Sequence, residues 1–233
     1  MSLPFTSQQF FAVFERYNTV IWPIQVIAYA LGAGAVALSL FRPSTSLRAV
    51  SLSNGSRYAD MTAAGILALM WLWIGIVYHF MYFSSINGLA PVFGLLFILE
   101  GLLLQWEGVL RKRLVFHARP NAAGVLGALL ILYSMVIYPF IGHLAGHGYP
   151  RSPSFGVTPC PATIFTFGLL LWSGRRVPKR LLIVPALWAA VGTFAAIGLG
   201  VYEDLGLTAA ALIAVPAIIL KDRRTPPRWE ETA

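Results

Sequence analysis

An all-α bundle of seven transmembrane helices is the fold this sequence predicts, on three observations. Of its 233 residues, 58% are hydrophobic and 11% charged, with a mean hydropathy of +0.72. A soluble domain carries about a quarter charged residues, so lipid must solvate much of this surface. Apolar stretches long enough to cross a bilayer, about 20 residues, recur along the chain. Between them, fifteen of the seventeen Lys and Arg residues cluster in four short segments: 42–60 (Arg42, Arg48, Arg57), 111–121 (Arg111, Lys112, Arg113, Arg119), 174–180 (Arg175, Arg176, Lys179, Arg180) and 221–233 (Lys221, Arg223, Arg224, Arg228). Only Arg16 and Arg151 lie elsewhere.

Basic loops stay on the cytoplasmic side of a membrane. Their alternation therefore predicts an N-terminus outside and a C-terminus in the cytoplasm. The net charge of +8 belongs to these flanking loops. No RNA- or DNA-binding motif accompanies it, so the expected partner is the lipid bilayer and not nucleic acid.

The elements follow in order within one transmembrane domain. Residues 1–19 read as an interfacial helix. Thr6 and Gln9 have capping-box spacing, Phe5 and Phe10 are placed as a hydrophobic staple, and Phe10, Phe14 and Tyr17 form one stripe. Met1–Tyr17 lacks the basic n-region of a secretory signal. The bundle occupies 20–220, with spans at about 20–41, 62–83, 88–110, 122–144, 157–173, 181–200 and 205–220. The tail 221–233 is basic and cytoplasmic. The outer loops at 84–87 and 201–204 are short, so their flanking spans pair as hairpins. The Pro-rich outer loop 145–156, between helices 4 and 5, is long enough to fold on its own and to re-enter the membrane edge. Phe93-Gly94-Leu95-Leu96 recurs as Phe167-Gly168-Leu169-Leu170, and Trp71 and Gly75 recur as Trp188 and Gly192, a faint internal echo.

Polar residues then sort by side. His79, His143 and His147 fall in the outer half, with Arg151, Cys160, Glu203 and Asp204. His143 and His147, four apart, would share a helical face as metal ligands, and Cys160 is the third candidate for a divalent ion. Pro161 at the first helical position would make Cys160 an N-cap, with Thr163 and Thr166 adding hydroxyls on the opening turns. The single cysteine excludes an intramolecular disulfide and a thiol-only metal cage. Arg151 is placed to pair with Glu203 or Asp204. Trp71, Tyr78 and Tyr82 share a face of the second span and read as an aromatic belt.

Glu100 lies about twelve residues into the third span, near the bilayer centre at roughly 1.5 Å per residue. An ionisable group there costs at least ~2.5 kcal/mol on insertion scales and must meet a partner or water. Glu107, seven residues on, shares its face and reads as structural.

The run GHGYPRSPSFGVTPCPATIFTFG at 142–168, with MWLWIGIVYHF at 70–80 and PFTSQQFFAVFERYN at 4–18, resembles a family of uncharacterised bacterial multi-pass inner-membrane proteins carrying a domain of unknown function. The resemblance implies fold and location, and brings no activity or catalytic residues with it. Three functions stand open. The leading one is a small transporter or binding protein for a small solute or metal ion at the outer face. It would use His79, His143, His147, Arg151, Cys160, Glu203 and Asp204, with Glu100 as coupling carboxylate. The second is an intramembrane enzyme with Cys160 as catalytic nucleophile beside a histidine. The third is a non-catalytic membrane assembly subunit. Substrate, direction of movement and oligomeric state are not legible.

Overall fold

The structure, a computed structural model, describes residues 4–41 and 54–224. Arg42, Arg48 and Arg228 of the basic segments lie outside the described residues. Eight helices form among those described: α1 (Ser7–Val20), α2 (Ile24–Leu40), α3 (Gly55–Ser85), α4 (Ala90–Leu110), α5 (Ala122–Leu144), α6 (Pro159–Leu171), α7 (Lys179–Leu199) and α8 (Tyr202–Arg223). The all-α expectation is met.

The count of seven spans is not reproduced by length. Five helices, α3, α4, α5, α7 and α8, are long and apolar enough to cross a membrane. A sixth is reached if α1 and α2, bent by 85° at their junction, count as one span. The expected span 157–173 is instead the short helix α6. Its 13 residues reach about 20 Å, against a hydrocarbon core of about 30 Å. It does not face lipid either, since every residue from Ser152 to Ser173 is buried. A central helix needs apolar residues on all faces, as a lipid-facing span does, so composition cannot tell the two apart.

Around α6 the other helices pack with α3 against α2 and α4, α7 against α8, and α6 against α5 and α8. Small residues set the closest approaches, as expected where helices associate by packing rather than by exclusion of water. A Cβ at Gly75 would lie 2.8 Å from Gly94 O, and one at Gly127 would lie 2.7 Å from Gly168 O. At Gly192 it would meet Leu207 at 2.8 Å. The glycines of the sequence echo therefore mark helix crossings, which explains their recurrence without a repeat.

Loops gather at two ends. At one end lie the basic segments. The Asp60 carboxylate accepts the Phe116 amide at 2.8 Å, and Phe116 pairs with Ser173 as an antiparallel bridge. Lys221 Nζ donates to Ser173 O at 2.7 Å, and Asp222 accepts the Val177 amide at 2.8 Å. Glu107 is fully buried and holds Arg113 at 3.3 Å together with Arg180. It is structural, as its sequence position suggests. The opposite end carries α1, segment 145–158 and the turns joining α3 to α4 and α7 to α8.

Candidate functional site

The site is built on α1. Its capping box forms as expected: Gln9 N–H donates to Thr6 Oγ1 at 3.2 Å, and Thr6 N–H donates to Gln9 Oε1 at 2.8 Å. The Phe5 and Phe10 rings stack at 5.8 Å, completing the staple. The apolar stripe does not point into lipid. Phe14 stacks on Tyr78 at 5.6 Å, Phe10 meets Phe83 edge-on, and Tyr17 packs against Tyr78 and Tyr82. Trp71 and Tyr78 are correspondingly buried core residues rather than members of an aromatic belt. Tyr78 reaches inward where α3 widens into a π-helical stretch over Ile74–Tyr82, a local distortion that frequently accompanies functional sites.

The C-terminal half of α1 fastens segment 145–158. Asn18 Nδ2 donates to Pro150 O at 2.7 Å and to Ser152 O at 2.8 Å. Tyr17 OH donates to Val157 O at 2.7 Å and accepts from Trp73 Nε1 at 2.8 Å. Gln25 Nε2 donates to Asn18 O at 2.7 Å. Glycines let this segment dive into the bundle. Gly156 has φ +74°, a left-handed backbone that glycine adopts without strain, and a Cβ at Gly32 of α2 would lie 2.5 Å from the Phe155 ring. The loop folds on its own, as its prolines predict, and is fastened to α1.

Beneath α1 lies a cavity of about 560 Å³. Phe10 and Phe14 form its roof, and α3, α4 and α7 contribute Tyr78, Phe93, Val191 and Ala195. Its polar lining is Asn87, Cys160 and Asp204, with the edges of Tyr78 and Trp188. At the rim, Leu89, Phe194 and Ile197 are more than half exposed.

Behind the cavity, the turn opening α8 places two buried carboxylates. Glu203 Oε1 lies 2.8 Å from His147 Nε2, and the His147 ring stacks on Phe11 of α1 at 4.5 Å. Tyr133 OH donates to Glu203 O at 2.8 Å. Asp204 Oδ1 accepts from Tyr138 OH at 2.5 Å, and Asp204 lines the cavity together with Cys160.

The structure thus brings His147, Cys160, Glu203 and Asp204 of the sequence candidates to one region. The others go elsewhere. Arg151 pairs with Glu15 at 3.6 Å, not with Glu203 or Asp204. His143 and His147 do not share a face, because α5 ends at Leu144 between them. The His143 ring lies over Gly148 instead, and lines a groove with Tyr29 and Tyr149. Among the described residues no three His, Cys, Asp or Glu side chains come together as metal ligands, so the set His143, His147 and Cys160 is not assembled. The N-cap of α6 is Thr158, with Pro159 and not Pro161 opening the helix, which moves Cys160 inside the first turn. Thr163 and Thr166 return their hydroxyls to Pro159 O and Ala162 O within α6, each at 2.8 Å. Cys160 shares its cavity lining with Asp204 and Trp188 and with no histidine among the described residues.

His79 and Glu100 sit deeper, both fully buried. The His79 ring is enclosed by Phe83, Phe93, Phe97 and Trp188, with centroid distances of 4.8–6.1 Å. Neither its nitrogens nor the Glu100 oxygens have a hydrogen-bond partner among the described residues. Tyr17, Asn18, Tyr138 and Trp188 were missed from sequence. Tyr17 and Trp188 did carry a signal there, as part of the α1 stripe and of the internal echo, whereas Asn18 and Tyr138 carried none.

No curated protein and no solved structure is detectably similar to the chain. A family model does match, across residues 7–228, and so takes in α1, segment 145–158 and α8 together. On that match the chain belongs to DUF6064, a family of unknown function whose member here is a helical polytopic membrane protein.

Proposed function

We propose that this membrane protein captures a small, largely apolar molecule in the cavity under α1, with Asp204 and Cys160 meeting the polar group of that ligand. The observation that carries the reading is the cavity itself. About 560 Å³ falls within the usual range for small-ligand sites, and an apolar lining with a few convergent polar groups is their usual chemistry. The exposed rim residues Leu89, Phe194 and Ile197 support entry from the bilayer rather than from water. The positive-inside rule supports an outer position for this end and a cytoplasmic one for the basic end.

A metal ion is the less favoured ligand, since no ligand set assembles among the described residues. A cysteine–histidine enzyme lacks its base, because among the described residues no histidine lines the cavity with Cys160. Glu100 remains the group we assign to coupling, as a carboxyl buried without a described partner is retained where it does work. Native mass spectrometry of the detergent-solubilised protein tests the binding step. An apolar adduct should be present on the wild type and lost in Ala195→Phe, which fills the cavity. Identical spectra for the two proteins would reject the reading.

A further inference from the structure

The basic end holds a second cleft, of about 190 Å³. Three segments far apart in sequence supply its cations: Arg57 from the first turn of α3, Arg111 and Lys112 from just beyond α4, and Arg175 from just beyond α6. Among the described residues the single carboxylate lining it is Asp60, one oxygen of which accepts the Phe116 amide at 2.8 Å. Among the described residues none of the four cations forms an ion pair, whereas their neighbours Arg113 and Arg180 both pair with Glu107. Four cations around one carboxylate repel one another, and an anion between them relieves that repulsion.

Two further observations point to what the anion is. Lys112 has φ 53°, and it is the one non-glycine with positive φ among the described residues. Glycine would adopt that turn without strain, so the turn alone gives no reason for a lysine there, whereas Lys112 lines the cleft. Beside the cleft, Arg111 lies over the Trp106 ring at 5.0 Å, and Trp106 and Leu110 expose apolar surface along the last turns of α4. Tryptophan with arginine at a helix end is the signature of the bilayer interface. Guanidinium groups match phosphate oxygens in geometry and charge, and basic pockets between membrane helices take anionic head groups.

We infer that this cleft binds the phosphate of an anionic phospholipid, with its acyl chains lying along Trp106 and Leu110 of α4. The site is separate from the cavity under α1 and stands or falls independently of it. Native mass spectrometry in detergent supplied with phosphatidylglycerol or phosphatidylcholine tests it. Phosphatidylglycerol should be retained preferentially. Each of Arg57→Gln, Lys112→Gln and Arg175→Gln should weaken retention about fivefold, the usual contribution of one cation near an anionic surface. Lys179→Gln removes an exposed charge at the same end outside the cleft and should leave retention unchanged. An equal loss in Lys179→Gln would mean diffuse attraction and overturn the site. Inorganic pyrophosphate binding in the cleft with no preference between the two lipids would overturn the lipid assignment in favour of a soluble phosphate. Arg57 and Lys112 are solvent-exposed, so their substitution leaves packing intact, and Arg175→Lys should restore most of the retention lost in Arg175→Gln.

Discussion

Replacing Asn18 with leucine removes the two short hydrogen bonds that hold segment 145–158 to α1, while nearly preserving side-chain volume. Pro150 O and Ser152 O, at 2.7 and 2.8 Å from the amide nitrogen, then lose their donor. A buried acceptor left unsatisfied costs about 1–3 kcal/mol. The Pro150 carbonyl is only partly buried, and leucine recovers some apolar burial, so the net loss should be about 2–4 kcal/mol. For a chain of this size that lowers Tm by roughly 5–15 °C. Asn18→Asp should be at least as damaging, because it turns an acceptor oxygen toward two carbonyls. Thermal unfolding followed by tryptophan fluorescence reads the shift, and limited proteolysis should cut 145–158 faster in both variants. Wild-type melting with unchanged cleavage in both would show that α1 is not fastened through Asn18, and the construction of the site would be wrong.

Other consequences follow from the same contacts. Glu203→Leu strips His147 of its buried hydrogen-bond partner at 2.8 Å and should cost about 1–3 kcal/mol, readable as a lower Tm. Gly127→Ala forces a methyl to within 2.6 Å of the Trp172 ring and should cost about 1–3 kcal/mol, whereas Gly34→Ala meets nothing within 4 Å and should melt like wild type. Glu100→Leu should raise Tm, because a fully buried carboxyl without a described partner destabilises the fold by about 1–3 kcal/mol relative to an apolar side chain. A fall in Tm in Glu100→Leu would reveal a stabilising partner and remove the argument for a coupling role.

The parts of this fold legible in sequence were those written as long or local patterns. The apolar periodicity of α3, α4, α5, α7 and α8, the capping box of α1 and the proline-rich loop all state their structure in neighbouring residues. The described parts of the basic segments also gather at one end. Where partners were distant, the sequence was silent. Arg151 found Glu15 rather than Glu203, because α1 folds back by 85° over the loop, a bend that no local signal sets in magnitude. The His143–His147 spacing misled because a helical face exists only while the helix continues, and α5 stops between them. The cavity was invisible for a further reason. Its walls are ordinary apolar residues from α1, α3, α4 and α7, and only their placement leaves space between them.

Cys160 offers the most direct test of the central claim, because it is the single cysteine of the chain and lines the cavity. Its labelling rate should be compared for N-phenylmaleimide, which is apolar, and a thiosulfonate reagent bearing a quaternary ammonium group, in wild type and in Ala195→Phe. A cavity reached from the bilayer predicts that the apolar reagent labels Cys160 and the charged one does not, and that Ala195→Phe suppresses the labelling. Faster labelling by the charged reagent, or labelling indifferent to Ala195→Phe, would contradict the account.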